Sequence, residues 1–164
     1  MKETFRPFKN TDLLFGMASP VAGTDRHWLL VDWDEKTLDE ILEICGNVLF
    51  KKRGFGNCYL IKSGRGYHLI NFSHKLRLET YVQILKELDA CPKFIEWVEK
   101  KVFYGVVRLS RRSSHNQVPE LIGVLQPPYP MGEDIFTKNM YLNFLNLERQ
   151  IQKIRRVKVY DKKN

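Results

Sequence analysis

His27 to Asp34 (HWLLVDWD) is a short apolar run that ends in acids, and Leu38, Ile41, Leu42 and Cys45 follow it at helical spacing. A strand that passes within a few residues into an amphipathic helix commits the chain to a mixed architecture. No repeat or low-complexity segment is present, so Gly, Pro and Asn set the remaining boundaries. The first helix is expected to close at Gly46-Asn47. Val48 to Lys52 and Asn57 to Lys62 flank Gly54-Phe55-Gly56 in the manner of a β-hairpin, and Tyr67 to Phe72 reads as the next strand after a Gly-x-Gly turn. Leu78, Tyr81, Ile84, Leu85 and Leu88 mark one face of a helix that Pro92 is expected to end. Phe94 to Lys101 reads as a short helix, and Phe103 to Leu109 and Leu121 to Leu125 as strands. Gln126-Pro-Pro-Tyr-Pro-Met-Gly132 forms a rigid loop before a last helix from about Ile135 to Ile154. Interleaved strands and helices with hairpins predict an α+β fold, a largely antiparallel or mixed sheet with helices packed on one face.

The chain has 164 residues, 43% hydrophobic and 28% charged, which predicts one domain over residues 1–164 with a basic C-terminal helix and tail, 134–164, within it. Apolar runs of about four to five residues fall far short of the roughly 18 to 20 that cross a bilayer. The N-terminus (Met1-Lys-Glu-Thr-Phe-Arg-Pro) has no apolar signal core. A soluble protein with no membrane partner is expected. Cys45, Cys58 and Cys91 are odd in number and never form a C-x-x-C pair, which argues against a disulfide framework and against structural zinc. A cytoplasmic location follows, or the host cytoplasm if the source is viral or a plasmid.

The net charge of +8 points to polyanionic partners, and its distribution is uneven. From Arg149 onward seven basic residues (Arg149, Lys153, Arg155, Arg156, Lys158, Lys162, Lys163) face one acid, Asp161, which leaves only +2 for residues 1–148. Such a segment is either a solvated helix end or a contact for nucleic-acid phosphates.

Three patterns carry chemistry. In Val31-Asp32-Trp33-Asp34 the alternation of a strand places both acids on one face, where two neighbouring carboxylates form a natural divalent-cation site. The competing reading has Asp34 capping the following helix and Asp32 merely exposed. In Ser63-Gly64-Arg65-Gly66-Tyr67-His68, two glycines let backbone N–H groups approach an anion, with Ser63, Arg65 and His68 as further donors; a plain hairpin turn is the alternative. In Val106-Val107-Arg108-Leu109-Ser110-Arg111-Arg112-Ser113-Ser114-His115, an arginine inside an apolar strand requires an anionic partner, either a phosphate or Asp32 or Asp34.

Taken in order, these patterns resemble the archaeo-eukaryotic primase superfamily of small primase subunits and primase-polymerases. Its core has a hydrophobic strand ending in D-x-D or D-x-E, an S-x-H motif often written S-G-x-G-x-H, a third acid, and a basic R-x-S-like strand. Asp32 and Asp34 match the first motif, Ser63 and His68 the second, and Arg108 with Ser110 the last, so the resemblance covers about Trp28 to Ser114. It implies an RRM-like primase catalytic core with Asp32, Asp34 and His68 as catalytic residues. It further implies that Mg2+ or Mn2+ is held by Asp32 and Asp34 with Glu96 as the third acid, and that nucleotide triphosphate is held by Ser63, Arg65, His68, Arg108 and Ser110. The third acid departs from the pattern. Glu96 falls at the expected distance but inside an expected helix, and Asp89 is a substitute. The zinc-binding module of many members is missing, so template handling would draw on another domain or protein, such as a helicase or accessory primase subunit.

The implied activity is metal-dependent nucleotidyl transfer on a single-stranded DNA template, with Arg111, Arg112, Arg149, Lys153, Arg156 and Lys158 as template contacts. Two other classes stay open. A non-catalytic single-strand-binding module would use Tyr59, Tyr67 and Phe72 with the basic tail, and a metal-dependent nuclease would use Asp32, Asp34 and Glu96.

Overall fold

Leu29, Val31 and Trp33 alternate along one strand and are all fully or almost fully buried, so this strand is the spine of the core. The computed structural model describes residues 16–109 and 119–130, and these lie within one of the two units into which the chain's contacts divide, Leu14–Met131. In chain order the elements are β1 (Gly16–Ala18), β2 (His27–Trp33), α1 (Leu38–Cys45), β3 (Cys58–Ser63), β4 (Gly66–Leu76), α2 (Leu78–Glu87), α3 (Pro92–Glu96), β5 (Val106–Arg108) and β6 (Glu120–Leu125). The helices α1 and α3 run on as wider, π-type turns over Gly46–Lys52 and Trp97–Lys101. Four strands form an antiparallel sheet in the order β2-β4-β3-β6, and β1 pairs with β5 in a second antiparallel ladder. The expected α+β fold with largely antiparallel strands is therefore present. No helix among the described residues is long and apolar enough to cross a membrane.

Helices cover one face of the four-stranded sheet. Trp33 reaches into them and donates from Nε1 to the Leu88 carbonyl at 2.9 Å. Burial, and then the nearness of Cys58 of β3, pushes the Cys45 thiol of α1 up, and burial pushes the Cys58 thiol up to about 12. The register places Leu60, Leu69 and Asn71 on this covered face. Asn71 is fully buried and saturated: its amide donates to the carbonyls of Gly56 and Asn57, and its oxygen accepts from the Ser73 backbone and hydroxyl. The opposite face carries Trp28, Leu30 and Asp32 from β2, His68, Ile70 and Phe72 from β4, and Tyr59 and Ile61 from β3.

Several expected boundaries are corrected. The α-helix does end at Cys45 with Gly46 as its cap, but the chain does not leave the helix there: Gly46 is helical at φ −57° and ψ −45°, and Val48 to Lys52 continue in π-type turns rather than forming the first arm of a hairpin. The reason is legible in the burial: Ile41, Cys45 and Leu49 continue one stripe at i, i+4 and i+8, all fully buried, and the apolar period outweighs the glycine. The true hairpin is β3–β4. Asp34 is not the cap of α1, because Thr37 accepts from the Glu40 backbone at 3.3 Å while the Glu40 carboxylate accepts from the Thr37 N–H at 2.8 Å, a reciprocal capping box. Pro92 opens α3 in its first turn instead of ending α2. The strand expected from Phe103 shortens to Val106–Arg108, since Phe103 sits at φ +63°, outside extended backbone. The expected helix Ile135 to Ile154 and the basic tail lie outside the described residues, as do Ser110 to His115.

The hairpin and its neighbour strand are fixed by two glycines for different reasons. Gly64 is the first residue of the two-residue loop between Ser63 and Gly66 and has φ +63°, the position where a II′ turn takes glycine. Gly66 has no room: a Cβ there would lie 1.8 Å from the Trp33 carbonyl oxygen of β2. Gly66→Ala should therefore destabilise the domain by about 3 kcal/mol, the upper end of overpacking costs. Gly64→Ala, in open space, should cost about 1 to 2 kcal/mol of backbone strain. Urea midpoints of the two variants check this, and an equal loss would contradict the close approach.

Titration of the fold has a defined sign. Burial holds His27 and His74 below the ordinary histidine value near 6.5. The Arg53 guanidinium, bonded at 3.0 and 3.1 Å, holds Glu87 at about 2, with Lys52 adding to it. Below pH 6.5 the unfolded chain binds protons at these histidines that the native state refuses, so stability should begin to fall there. A second loss should follow from about pH 4.5, the ordinary glutamate value, down towards 2 as Glu87 is protonated. The urea midpoint followed from pH 7.5 to 3 is the measurement, and a flat profile between pH 7 and 5 would contradict the histidine contribution.

Candidate active site

Asp32 and His68 are direct cross-strand partners in the β2–β4 ladder. Side chains opposite one another in an antiparallel pair stand on one face and within reach, and here His68 Nε2 lies 3.2 Å from Asp32 Oδ1. The Asp32 side chain is 25% exposed and that of His68 9%. His68 Nδ1 is buried and has no hydrogen-bond partner among the described residues. Buried ring nitrogens are nearly always satisfied, so a ligand group that reaches Nδ1 gains a contact the fold does not supply.

Asp34 lies one residue past the end of β2 and is exposed, with its Oδ2 accepting from the Cys91 thiol at 2.9 Å. The Cys91 backbone N–H donates to the Asp32 carbonyl at 2.8 Å, which ties the start of α3 to the free side of β2. Burial, then the hydrogen bond to Asp34, pushes the Cys91 thiol up, so it stays protonated and a donor at neutral pH. A cavity of about 560 Å³ opens beside Asp34 and is lined by Trp33, Lys36, Asp89, Cys91 and Lys93 among others.

The other expected site residues divide. Ser63 is half-buried at the end of β3, opposite Gly66, and Arg65 is exposed at the hairpin tip. Arg108 is half-buried on β5, opposite Gly16, and already engaged in an interaction; β5 also approaches β2. Glu96 is exposed at the end of α3. Among the described residues no three His, Cys, Asp or Glu side chains gather as a cation cluster, so Asp32, Asp34 and Glu96 are not brought together as a triad. Asp89 is exposed, at φ +50°, and pairs with Lys36. Ser110, Arg111, Arg112, Arg149, Lys153, Arg156 and Lys158 lie outside the described residues.

Tyr59 and Phe72 share the face of Asp32 and His68, and Phe72 meets Trp28 edge-on at 5.3 Å. Tyr67 is on the opposite face with the Lys62 ammonium 4.2 Å from its ring centre, so the three aromatics do not make one platform. The contact that sequence reading missed is Cys91. It lies 57 residues from Asp34 in the chain, and an isolated cysteine before a proline carries no sign of such a partner.

No known protein family, characterised protein or solved structure matches the chain.

Proposed function

We propose that the chain is a primase-like nucleotidyltransferase that joins nucleotide triphosphates on a single-stranded template. The observation that carries this reading is the meeting of the first two motifs: Asp32 of the D-x-D strand stands against His68 of the S-G-x-G-x-H hairpin, and a buried nitrogen of His68 has no partner among the described residues. The element order from β2 to β5 supports it as well: it is β-α-β-β-α-α-β, the β-α-β-β-α-β sequence of split βαβ and RRM-like cores with α3 added before the last strand, and β2 and β4 are neighbours. The sheet departs from the simplest form of that core in having β6 beyond β3 and in pairing β5 with β1.

In this reading Asp32 and Asp34 hold Mg2+ or Mn2+. Two carboxylates suit such an ion when nucleotide phosphates and water complete its shell. The bound metal supplies charge neutralisation on the triphosphate and lowers the pKa of the attacking hydroxyl. His68, Ser63, Arg65, Arg108 and Ser110 act as donors to phosphate oxygens, which stabilises the charge that develops as pyrophosphate leaves. None of them has to remove a proton. The basic residues outside the described segments, Arg111, Arg112, Arg149, Lys153, Arg156 and Lys158, take the template phosphates.

Incubation of the full chain with labelled nucleotide triphosphates, primed and unprimed single-stranded templates and Mn2+ tests the proposal. Incorporation with release of pyrophosphate is the expected result. Strand binding without incorporation would assign a binding subunit, and cleavage of the template a nuclease.

A further inference from the structure

The segment Trp97 to Tyr104 is built against the usual economy of a small domain. Trp97 is 56% exposed and Phe103 55%, and Tyr104 and Val106 are exposed beside them. The apolar side chains Phe94, Val98 and Val102 join Trp97, Tyr104 and Val106 in lining a groove of about 310 Å³. Phe103 adopts φ +63°, a conformation that a bulky residue takes only at a cost. That strain accompanies a ring turned largely to solvent, so the gain of burial does not offset it.

The charges around these rings decide the partner. Lys100 and Lys101 are exposed between Trp97 and Phe103. The acid nearest to them in sequence, Glu99, is matched by Lys86 at 2.9 Å, and this contact holds its carboxyl below the ordinary value. Exposed aromatic rings interleaved with lysines that form no ion pair among the described residues are the equipment for a flexible polyanion with flat apolar faces: bases stack on the rings and phosphates meet the ammonium groups. We infer that Trp97, Phe103 and Tyr104, with Lys100 and Lys101, form a stacking site for single-stranded nucleic acid. The inference rests on the reading of the chain as acting on a nucleic-acid template, and names a place where that strand is held.

The test uses the full chain and a fluorescently labelled oligothymidylate. Trp33 is almost fully buried and Trp28 is half-buried, so Trp97 dominates the solvent-accessible tryptophan signal, and oligothymidylate should quench it. Trp97→Ala and Phe103→Ala should each weaken binding about tenfold or more. Lys100→Glu with Lys101→Glu should lower the salt slope of the affinity by about 1.4, or about 0.7 for each of two lost phosphate contacts. Unquenched tryptophan emission with bound oligonucleotide would overturn the inference whether or not the alanine variants fold. So would unchanged affinity in Trp97→Ala and Phe103→Ala, and so would a loss of self-association in those variants with oligonucleotide affinity intact, which would assign the patch to a second copy of the chain. Affinity and incorporation are read separately. If the chain incorporates no nucleotide while Trp97→Ala still weakens binding, the stacking site stands and the transferase reading fails; if incorporation proceeds and binding is indifferent to Trp97, the reverse holds.

Discussion

Replacing both Asp32 and Asp34 with Asn should reduce nucleotide incorporation by about a thousandfold or more. Holding a divalent cation against a triphosphate contributes several kcal/mol of transition-state stabilisation, and each 1.36 kcal/mol is a factor of ten in rate. Asn keeps the shape of Asp and an oxygen that can accept from His68 Nε2 and from the Cys91 thiol, while removing the charge that attracts the metal. Both carboxylates are at least partly exposed, so the unfolding free energy should change by no more than about 1 kcal/mol. Activity and stability therefore separate in this variant. Wild-type incorporation by the double variant, measured with Mn2+ and labelled nucleotides, would refute the transferase reading.

The largest loss of stability is expected one residue away. Trp33→Ala should destabilise the domain by about 3 to 5 kcal/mol, because it empties the volume of the largest fully buried side chain. It also strips the Leu88 carbonyl of the indole N–H that reaches it at 2.9 Å. Trp33→Phe keeps most of the packing and loses only the donor, so it should cost about 1 to 3 kcal/mol, the penalty of a buried acceptor left unsatisfied. Urea unfolding resolves the two, with a lower midpoint and an unchanged slope for each. A loss below 1 kcal/mol in Trp33→Ala would mean that the helices do not depend on this strand for their seat. The side chains at 32 and 34 are thus expected to be replaceable without harm to the fold, and the one at 33 is not.

That alternation was legible in the sequence because a strand's period is two and the run HWLLVDWD is long enough to show it. That Asp32 and His68 belong to one site was implied only by the resemblance, because the glycine turn by itself sets His68 opposite Ile61 of β3 and says nothing about β2. The failures have local causes. Gly46 reads as a helix stop on propensity alone, but about 1 kcal/mol of glycine cost is small beside the burial of Leu49 in the same stripe. The glycines of the hairpin read as an anion cradle or a plain hairpin turn, and neither reading shows that Gly66 is also required by the approach of the Trp33 carbonyl, a constraint from another strand that no local pattern reveals. Cys91 was invisible for the same reason. Long-range contacts leave a trace in sequence only when they impose a period or forbid a side chain, and a thiol on a carboxylate does neither.

The two ladders of β4 differ in the length of chain they close, and this sets the order in which the domain can assemble. On one side β4 pairs with β3 across a two-residue loop; on the other it pairs with β2 across α1, its π-type continuation and β3. Closing a short hairpin takes microseconds, whereas the longer closure must recover a larger entropy before its contacts reward it. During synthesis β2 leaves the ribosome well ahead of β4, and its apolar run has no antiparallel partner until the hairpin is made. An unpaired apolar edge of this kind invites association with other nascent chains. The strand bearing Asp32 thus has no partner strand in this sheet until the chain between Trp33 and Gly66 has been translated, and the hairpin that carries His68 is the shorter of the two closures.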